Sequence, residues 1–327
     1  MPPADPGIDV SFVVPCYNYG RFLPDCLNSI LHQEGNYSFE IVAIDDSSSD
    51  NTPEVLERFG DPRLRGIRHA NNLGHVKTIS RGLREARGRF IARIDPDDRY
   101  RPRFLCETVP RFAAYPEVAL VYGDAALIDA EGRVTVPRSD RVHAGRDFRG
   151  NEFIPLLSEN FVCAPTVIAR REAWLEALPV PENLAFNDWY FNMMIARRHD
   201  FYYVSEVLAE YRVHDSNHHG KIVRDRTEEP SILLLLNLIF RQAESDPARE
   251  RTKQMARNRV YAAQYLKLAD KYFGFGMNRD ARRCYLRAVW HAPANLLCWT
   301  LLRRLAATGV QRQAYDRLKR ALGYLGT

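Results

Sequence analysis

No stretch of this 327-residue chain is long and apolar enough to cross a bilayer. A spanning helix needs about 20 mostly apolar residues. The strongest run, residues 232–240, is shorter, carries Asn237 inside it, and reads as a buried helix. The first residues, Met1-Pro2-Pro3-Ala4-Asp5, lack the basic-then-apolar pattern of a secretion leader. Cysteine is sparse and scattered. Cys16, Cys26, Cys106, Cys163, Cys284 and Cys298 have no metal-ligand spacing and read as reduced packing residues of a cytosolic protein. No recognised nucleic-acid motif accompanies the basic residues, which argues against a nucleic-acid partner. These absences leave a cytoplasmic protein long enough for one large domain and an appendage.

Charge is divided unevenly. Residues 1–230 hold 28 Lys and Arg against 35 Asp and Glu, whereas residues 231–327 hold 18 against 6, so a net charge of +5 conceals an acidic body and a basic tail. Such a tail can dock on its own domain, on an anionic membrane surface or on an acidic partner.

The first half alternates strand and helix. Residues 10–15 form a short apolar run, followed by the turn Cys16-Tyr17-Asn18-Tyr19-Gly20 and a helical pattern through Phe22, Leu23, Leu27, Ile30 and Leu31. A second strand over 39–44 ends in a polar turn rich in helix-capping residues, before a helix over 53–59 and a third strand over 64–68. After Asn71-Asn72-Leu73-Gly74, residues 76–86 have helical periodicity, and 90–94 form the fourth strand. This order predicts a parallel sheet with right-handed crossovers, whose ligands bind at the carboxyl ends of the strands.

That fourth strand runs into Arg93-Ile94-Asp95-Pro96-Asp97-Asp98. Clustered carboxylates repel one another and raise each other's pKa values unless a cation neutralises them. Oxygen ligands at a strand end suit Mg²⁺ or Mn²⁺, which keep positions open for a substrate's phosphates. An Asp-rich turn that caps the next helix is the plainer alternative.

In order along residues 10–217, Val-Val-Pro-Cys-Tyr-Asn, Ile-Asp-Asp-Ser-Ser-Ser-Asp-Asn-Thr, Asn-Leu-Gly and Ala-Arg-Gly-Arg-Phe-Ile-Ala-Arg-Ile-Asp-Pro-Asp-Asp are followed by Leu120-Val121-Tyr122-Gly123-Asp124, Asn187-Asp188-Trp189 and Tyr211-Arg212-Val213-His214-Asp215-Ser216-Asn217. The series resembles the family 2 glycosyltransferases of GT-A fold, a Rossmann-like α/β architecture. The resemblance implies that Asp46, with Asp45 beside it, holds the base and ribose of a nucleotide, and that Pro15, Cys16 and Tyr17 line the same pocket. It makes Asp95 and Asp97 the Asp-x-Asp pair, with Asp95 and Pro96 on the ribose side and Asp97 on the metal; Asp98 follows directly, so the register can slip by one. His214 is implied beside the metal and diphosphate, although a lone His is more often an ordinary residue, and neighbouring His218 and His219 stay unassigned. Asp188 is implied as the general base, in the place where relatives carry Glu-Asp; here Asn187 replaces the first acid, and helix capping is a compatible second role. Lys77 can meet a phosphate from its helix or be a solvated charge, and Ser80 stands where the family often has Asn.

The expected layout is a catalytic domain over 1–230, with a nucleotide-sugar half (1–124) and an acceptor half (125–230), and a basic helical extension over 231–327. The acceptor half contains a hairpin-like stretch at 126–136 and candidate lining residues Thr166 and Trp189, but no motif that identifies the acceptor. In the extension, Tyr265, Leu268, Ala269 and Tyr272, then Ala281, Tyr285, Ala288 and Pro293, match one tetratricopeptide-like hairpin. A helix over 296–305 and a basic segment over 312–322 complete it. Expected partners are a nucleotide-diphosphate sugar, UDP-sugar favoured, and a saccharide, lipid-linked saccharide or protein acceptor. The basic helices can provide contact with the inner face of the cytoplasmic membrane, or a homodimer. The pattern and membrane helices of processive synthases are absent, which favours single-sugar transfer. A sugar-nucleotide nucleotidyltransferase would want a Gly-rich basic loop after the first strand, which Cys16 to Gly20 does not supply, and a non-catalytic scaffold would have no need of Asp97, Asp188 and His214 together.

Overall fold

Seven consecutive buried side chains make up β1 (Val10–Cys16), the pattern of a strand covered on both faces. In the computed structural model, which describes residues 3–139, 142–182, 184–214 and 223–309, β1 lies between β2 (Phe39–Asp45) and β4 (Phe90–Arg93), parallel to both. Outside β2 lies β3 (Leu64–Arg68), also parallel. The connections are α1 (Leu23–Leu31), α2 (Thr52–Arg58) and α3 (His75–Glu85). Helix α1 buries Leu23, Cys26, Leu27 and Ile30, the i, i+3, i+4, i+7 stripe of a helix on a sheet. Phe12 of β1 meets Phe39 edge-on at 5.6 Å and Tyr100 at 5.3 Å in the core beneath. Because the chain leaves β1 for β2 on one side and reaches β4 on the other, a crevice opens at the carboxyl end of β1.

Beyond β4 the sheet becomes mixed. The chain continues through β5 (Arg99–Tyr100), α4 (Phe104–Ala114), β6 (Val118–Ile128), β7 (Val134–Val136), β8 (Phe148–Gly150), α5 (Phe153–Ser158), β9 (Ile168–Arg170), α6 (Arg171–Glu176), α7 (Asn187–Ala196) and β10 (Asp200–Arg212). Strand β9 is antiparallel to both β4 and β6, while β10 is parallel to β6. The hairpin foreseen at 126–136 is the antiparallel β6–β7 pair.

The chain divides into two compact units, Met1–Asn217 and His218–Thr327. A boundary at residue 230 would cut α8 (Glu228–Arg241). The first turn of that helix is acidic rather than apolar, which is why hydropathy places its start too late. Buried Glu228 pairs with Lys271, and buried Glu229 with Arg283 at 2.5 Å. The second unit continues with α9 (Pro247–Gly274), α10 (Asn278–His291) and α11 (Trp299–Ala307). Asp246 caps α9 by accepting from the Ala248 N–H at 2.9 Å. Tyr265, Leu268, Ala269 and Tyr272 of α9 and Ala281, Tyr285 and Ala288 of α10 are all buried, as the hairpin pattern requires. All six cysteines are free; Cys298 is exposed and so is no packing residue. Among the described residues no helix is long and apolar enough to cross a membrane. His218, His219 and the basic residues Arg312, Arg317, Lys319 and Arg320 lie outside the described residues.

Candidate active site

Two turns, after β1 and after β2, form one wall of the crevice. They are knitted by side chains accepting from backbone: Asn18 Oδ1 from Ser49 N at 2.8 Å, Ser48 Oγ from Asn18 N at 2.9 Å, and Asp50 Oδ2 from Gly20 N at 2.9 Å. Asn18 and Ser47 both adopt positive φ, 58° and 63°. Non-glycine residues take this conformation at some cost, and it recurs where a loop is held for function. Tyr17 is exposed at the turn, whereas Cys16 is buried with its thiol pKa pushed up by burial first and Asp45 second, so it lines rather than reacts. Pro15 is the penultimate residue of β1 and is buried.

The two acids after β2 do different things. Asp46 accepts from His69 Nδ1 at 2.7 Å and from the N–H groups of Leu73 and Gly74, both at 2.8 Å. Burial pushes its pKa up, but these bonds outweigh that and hold it below the usual carboxylate range. It pins the 69–74 turn. Asp45 accepts from Ser48 N at 3.0 Å and sits 3.2 Å from Arg68.

The Asp95–Asp98 stretch is a turn closed by the Asp98 N–H on the Asp95 carbonyl at 3.1 Å, with Pro96 buried inside it. Arg212, the last residue of β10, locks it in place. Its backbone N–H donates to Asp98 Oδ1 at 2.8 Å, its Nε to the Asp97 carbonyl at 2.7 Å, and its Nη1 to the Ala130 carbonyl at 3.0 Å. Two residues on, His214 Nε2 lies 3.1 Å from Asp97 Oδ2, although 117 positions separate them in sequence. The His214 ring is walled by Phe22 at 5.0 Å and Tyr19 at 6.4 Å. Burial first, then the charge of Asp95, pushes Asp97 up to about 6, against the pull of His214. Burial, then Asp97 and Asp95, drives Asp98 up further.

These groups fit a divalent cation. One carboxylate oxygen and one imidazole nitrogen converge at a strand end, and Asp97 is held as a carboxylate only with difficulty, as expected of a ligand whose counter-charge is a metal. Asp97 and His214 would hold the ion, leaving its remaining positions for phosphate oxygens and water. Asp98 is turned inward to Arg212.

Asp188 opens α7 on the far side of Arg93. Arg93 is buried at the end of β4 and donates from Nη2 to Asp95 Oδ1 at 2.7 Å and from Nη1 to Asn187 Oδ1 at 3.2 Å, while His75 Nε2 lies 3.2 Å from Nη2. One guanidinium therefore links the donor-side acid to the first turn of α7. Asn160 Nδ2 donates to Asp188 Oδ2 at 2.8 Å and is itself held by Asn192. Although some of its surface reaches solvent, Asp188 is packed closely enough that burial raises its pKa, with the Arg93 charge restraining the rise.

Other candidates sit elsewhere. Lys77 pairs with Glu182 at 3.2 Å, both well exposed, as a solvated helix charge would. The Trp189 indole is buried and donates to the Leu156 carbonyl at 2.8 Å, and buried Thr166 donates to the Cys163 carbonyl at 2.7 Å. Both are packing residues, correcting their assignment to an acceptor surface. Sequence reasoning missed Arg93, His75 and Asn160 as positioning groups. A cation two residues before an acid cluster was the available signal for Arg93; His75 and Asn160 gave none.

Residues 11–178 match the family described as Glycosyl transferase family 2. The succinoglycan biosynthesis protein ExoO of Rhizobium meliloti is 38% identical over 130 residues, which is 39% of this chain and 37% of the relative's length. Among solved structures, S. aureus TarS with UDP-GlcNAc superposes with a TM-score of 0.67 at 17% identity, covering 88% of this chain and 82% of that one. The mannosyltransferase PcManGT of Pyrobaculum calidifontis, in complex with GDP-Man and Mn²⁺, gives 0.58 at 18% identity, covering 91% and 82%. The shared architecture is the GT-A fold with added C-terminal helices.

Proposed function

Because the chain belongs to glycosyl transferase family 2, we propose that it moves one sugar from a nucleotide-diphosphate sugar to an acceptor hydroxyl, with inversion at the anomeric carbon. The acceptor oxygen attacks that carbon, the bond to the diphosphate breaks, and the hydroxyl proton passes to Asp188. Asn160 fixes the receiving carboxylate and Arg93 keeps it ionised. The sugar is oxocarbenium-like as the bond breaks. A divalent ion, when bound by Asp97 and His214, supplies the positive charge that stabilises the departing diphosphate. The imidazole ligand favours Mn²⁺ over Mg²⁺. Asp45 and the turns after β1 and β2 receive the nucleotide, with Asp46 holding the wall rather than the ligand, and Asp95 faces the ribose. Neighbours of this fold hold UDP-GlcNAc and GDP-Man, so UDP-sugars are the first donors to test and GDP-sugars the second. The name of ExoO supports a polysaccharide or lipid-linked saccharide acceptor.

The observation that carries this reading is the meeting of Asp97 and His214 at 3.1 Å, in the crevice where Arg93 joins Asp95 to the turn bearing Asp188. A nucleotide-release assay over UDP-, GDP- and dTDP-sugars, run with Mn²⁺ and with a chelator, tests it. Release from at least one donor, abolished by chelator, is the expected outcome. Silence across the panel, or release indifferent to chelator, overturns the metal-assisted mechanism.

A further inference from the structure

Helix α10 has two faces of opposite character. Ala281, Cys284, Tyr285 and Ala288 are buried, and the other side presents Arg279, Arg282, Arg283, Leu286, Arg287 and Trp290, which line a groove of about 540 Å³. An ordinary solvated helix face mixes both signs of charge. This one does not. Between residues 278 and 309 six arginines stand against a single acid, Asp280. Arg283 is engaged by Glu229, but among the described residues Arg279, Arg282 and Arg287 have no carboxylate within ion-pair distance. A second groove, between α10 and α11, shares Arg282 and Leu286 and adds Leu302, Leu305 and Ala306, so cation and hydrocarbon are interleaved across both helices.

The apolar exposure is concentrated here. Of the thirteen large hydrophobics exposed among the described residues, five fall between 286 and 299. They are Leu286, Trp290, Leu296, Leu297 and Trp299, the last two 89% and 70% exposed, and single scattered hydrophobics would not cluster so. We infer that this face is a docking surface for an anionic lipid bilayer, with the arginines on lipid phosphates and Trp290, Trp299 and the leucines in the headgroup–acyl boundary. Charge complementarity selects the occupant. A second copy related by a two-fold axis would set arginine against arginine. A nucleic acid would use the arginines and the indoles but gains little from aliphatic Leu286, Leu296 and Leu297, which hydrocarbon accepts. Arginine at the headgroups and tryptophan at the interface are the usual anchors of a protein lying on a membrane.

The test floats the full chain with vesicles of phosphatidylglycerol and phosphatidylcholine, and with phosphatidylcholine alone, at low and physiological salt. Binding is expected only to the anionic vesicles and is weakened by salt, since screening acts over about 8 Å under physiological conditions. Brominated acyl chains should quench tryptophan emission on binding; Trp174 and Trp189 are buried, so the quenching reads Trp290 and Trp299. Each arginine near an anionic surface is worth roughly a factor of five, so Arg279→Glu, Arg282→Glu and Arg287→Glu together should weaken binding on the order of a hundredfold. If that triple variant melts early, the milder Arg282→Gln/Arg287→Gln pair should still weaken binding on the order of twentyfold. Trp290→Ala/Trp299→Ala should abolish the quenching at unchanged thermal stability. No binding to anionic vesicles at low salt, binding without quenching, or a change of oligomeric state in the tryptophan variant would each overturn the assignment. So would capture of an acidic protein or RNA with no affinity for vesicles.

Discussion

Asp188 is asked both to accept a proton and to open a helix, and a substitution can separate the two. Asp188→Asn keeps the shape, the first-turn position and an oxygen for Asn160, but cannot take the proton. Sugar transfer should fall by about 10²- to 10⁴-fold with donor affinity unchanged; lost donor binding with turnover preserved would mark the residue as structural. Asp97 supplies a pH dependence. Its ordinary value is 3.8 and burial with Asp95 lifts it to about 6, so the folded protein holds this proton more tightly than the unfolded chain does. Without metal, the stability this group contributes is complete below 3.8 and is lost as pH rises through about 6. Since a cation binds the carboxylate and not the acid, the rise in melting temperature on adding Mn²⁺ should be larger at about pH 7.5 than at about pH 5. An equal rise at both would remove Asp97 from the ligand set. At this scale the acids could be found in the sequence because clustered carboxylates at a strand end are rare without a cation. Their division of labour could not. That Asp46 is consumed by His69, Leu73 and Gly74 depends on how a turn folds back, which no spacing reveals.

At the scale of elements, the site rests on contacts between strand ends. Arg212 carries β10 into the Asp97–Asp98 turn through three listed partners' worth of hydrogen bonds, and it is 1% exposed. Arg212→Met fills the space but strands the buried carbonyls of Asp97 and Ala130. It should destabilise the protein by roughly 2–4 kcal/mol in denaturant titration, given about 1–3 kcal/mol per unsatisfied buried group, and weaken Mn²⁺ binding as well. Unchanged Mn²⁺ affinity would show that the turn does not need this support. The turns after β1 and β2 meet at Gly20, where an added Cβ would lie 2.2 Å from Asn51 Oδ1 and 2.8 Å from Thr52 N. Gly20→Ala should therefore spread the two turns, costing about 1–3 kcal/mol and weakening donor binding, while chemistry per bound donor persists. Unaltered donor affinity would place the nucleotide elsewhere. The strands β1 to β4 were readable because each is a continuous apolar run ending in turn chemistry. Strand β9 was not, since three residues in an antiparallel slot leave too short a signal, and Trp189 was misread because an aromatic at helical spacing looks alike in a core and in a cleft.

For the whole molecule, the uneven charge of the sequence anticipated two bodies, and the division at 217 follows it closely. Each has its own core: the sheet with α1 and α4 in the first, and the α9–α10 hairpin around Tyr272, Tyr285 and Leu268 in the second. What charge could not reveal was where in the second body the cations gather, because one face of α10 becomes visible only once the other is buried. The central claim concerns the first body: that residues brought from β2, β4, β10 and α7 to one crevice bind a nucleotide-diphosphate sugar through a divalent ion. Calorimetric titration of the donor identified by nucleotide release into the whole chain, with Mn²⁺ and with chelator, tests this most directly. Donor binding that needs Mn²⁺, and that Asp97→Ala and His214→Ala each weaken by at least about tenfold, is the predicted result. Equal affinity with and without the ion, or in both variants, would contradict it.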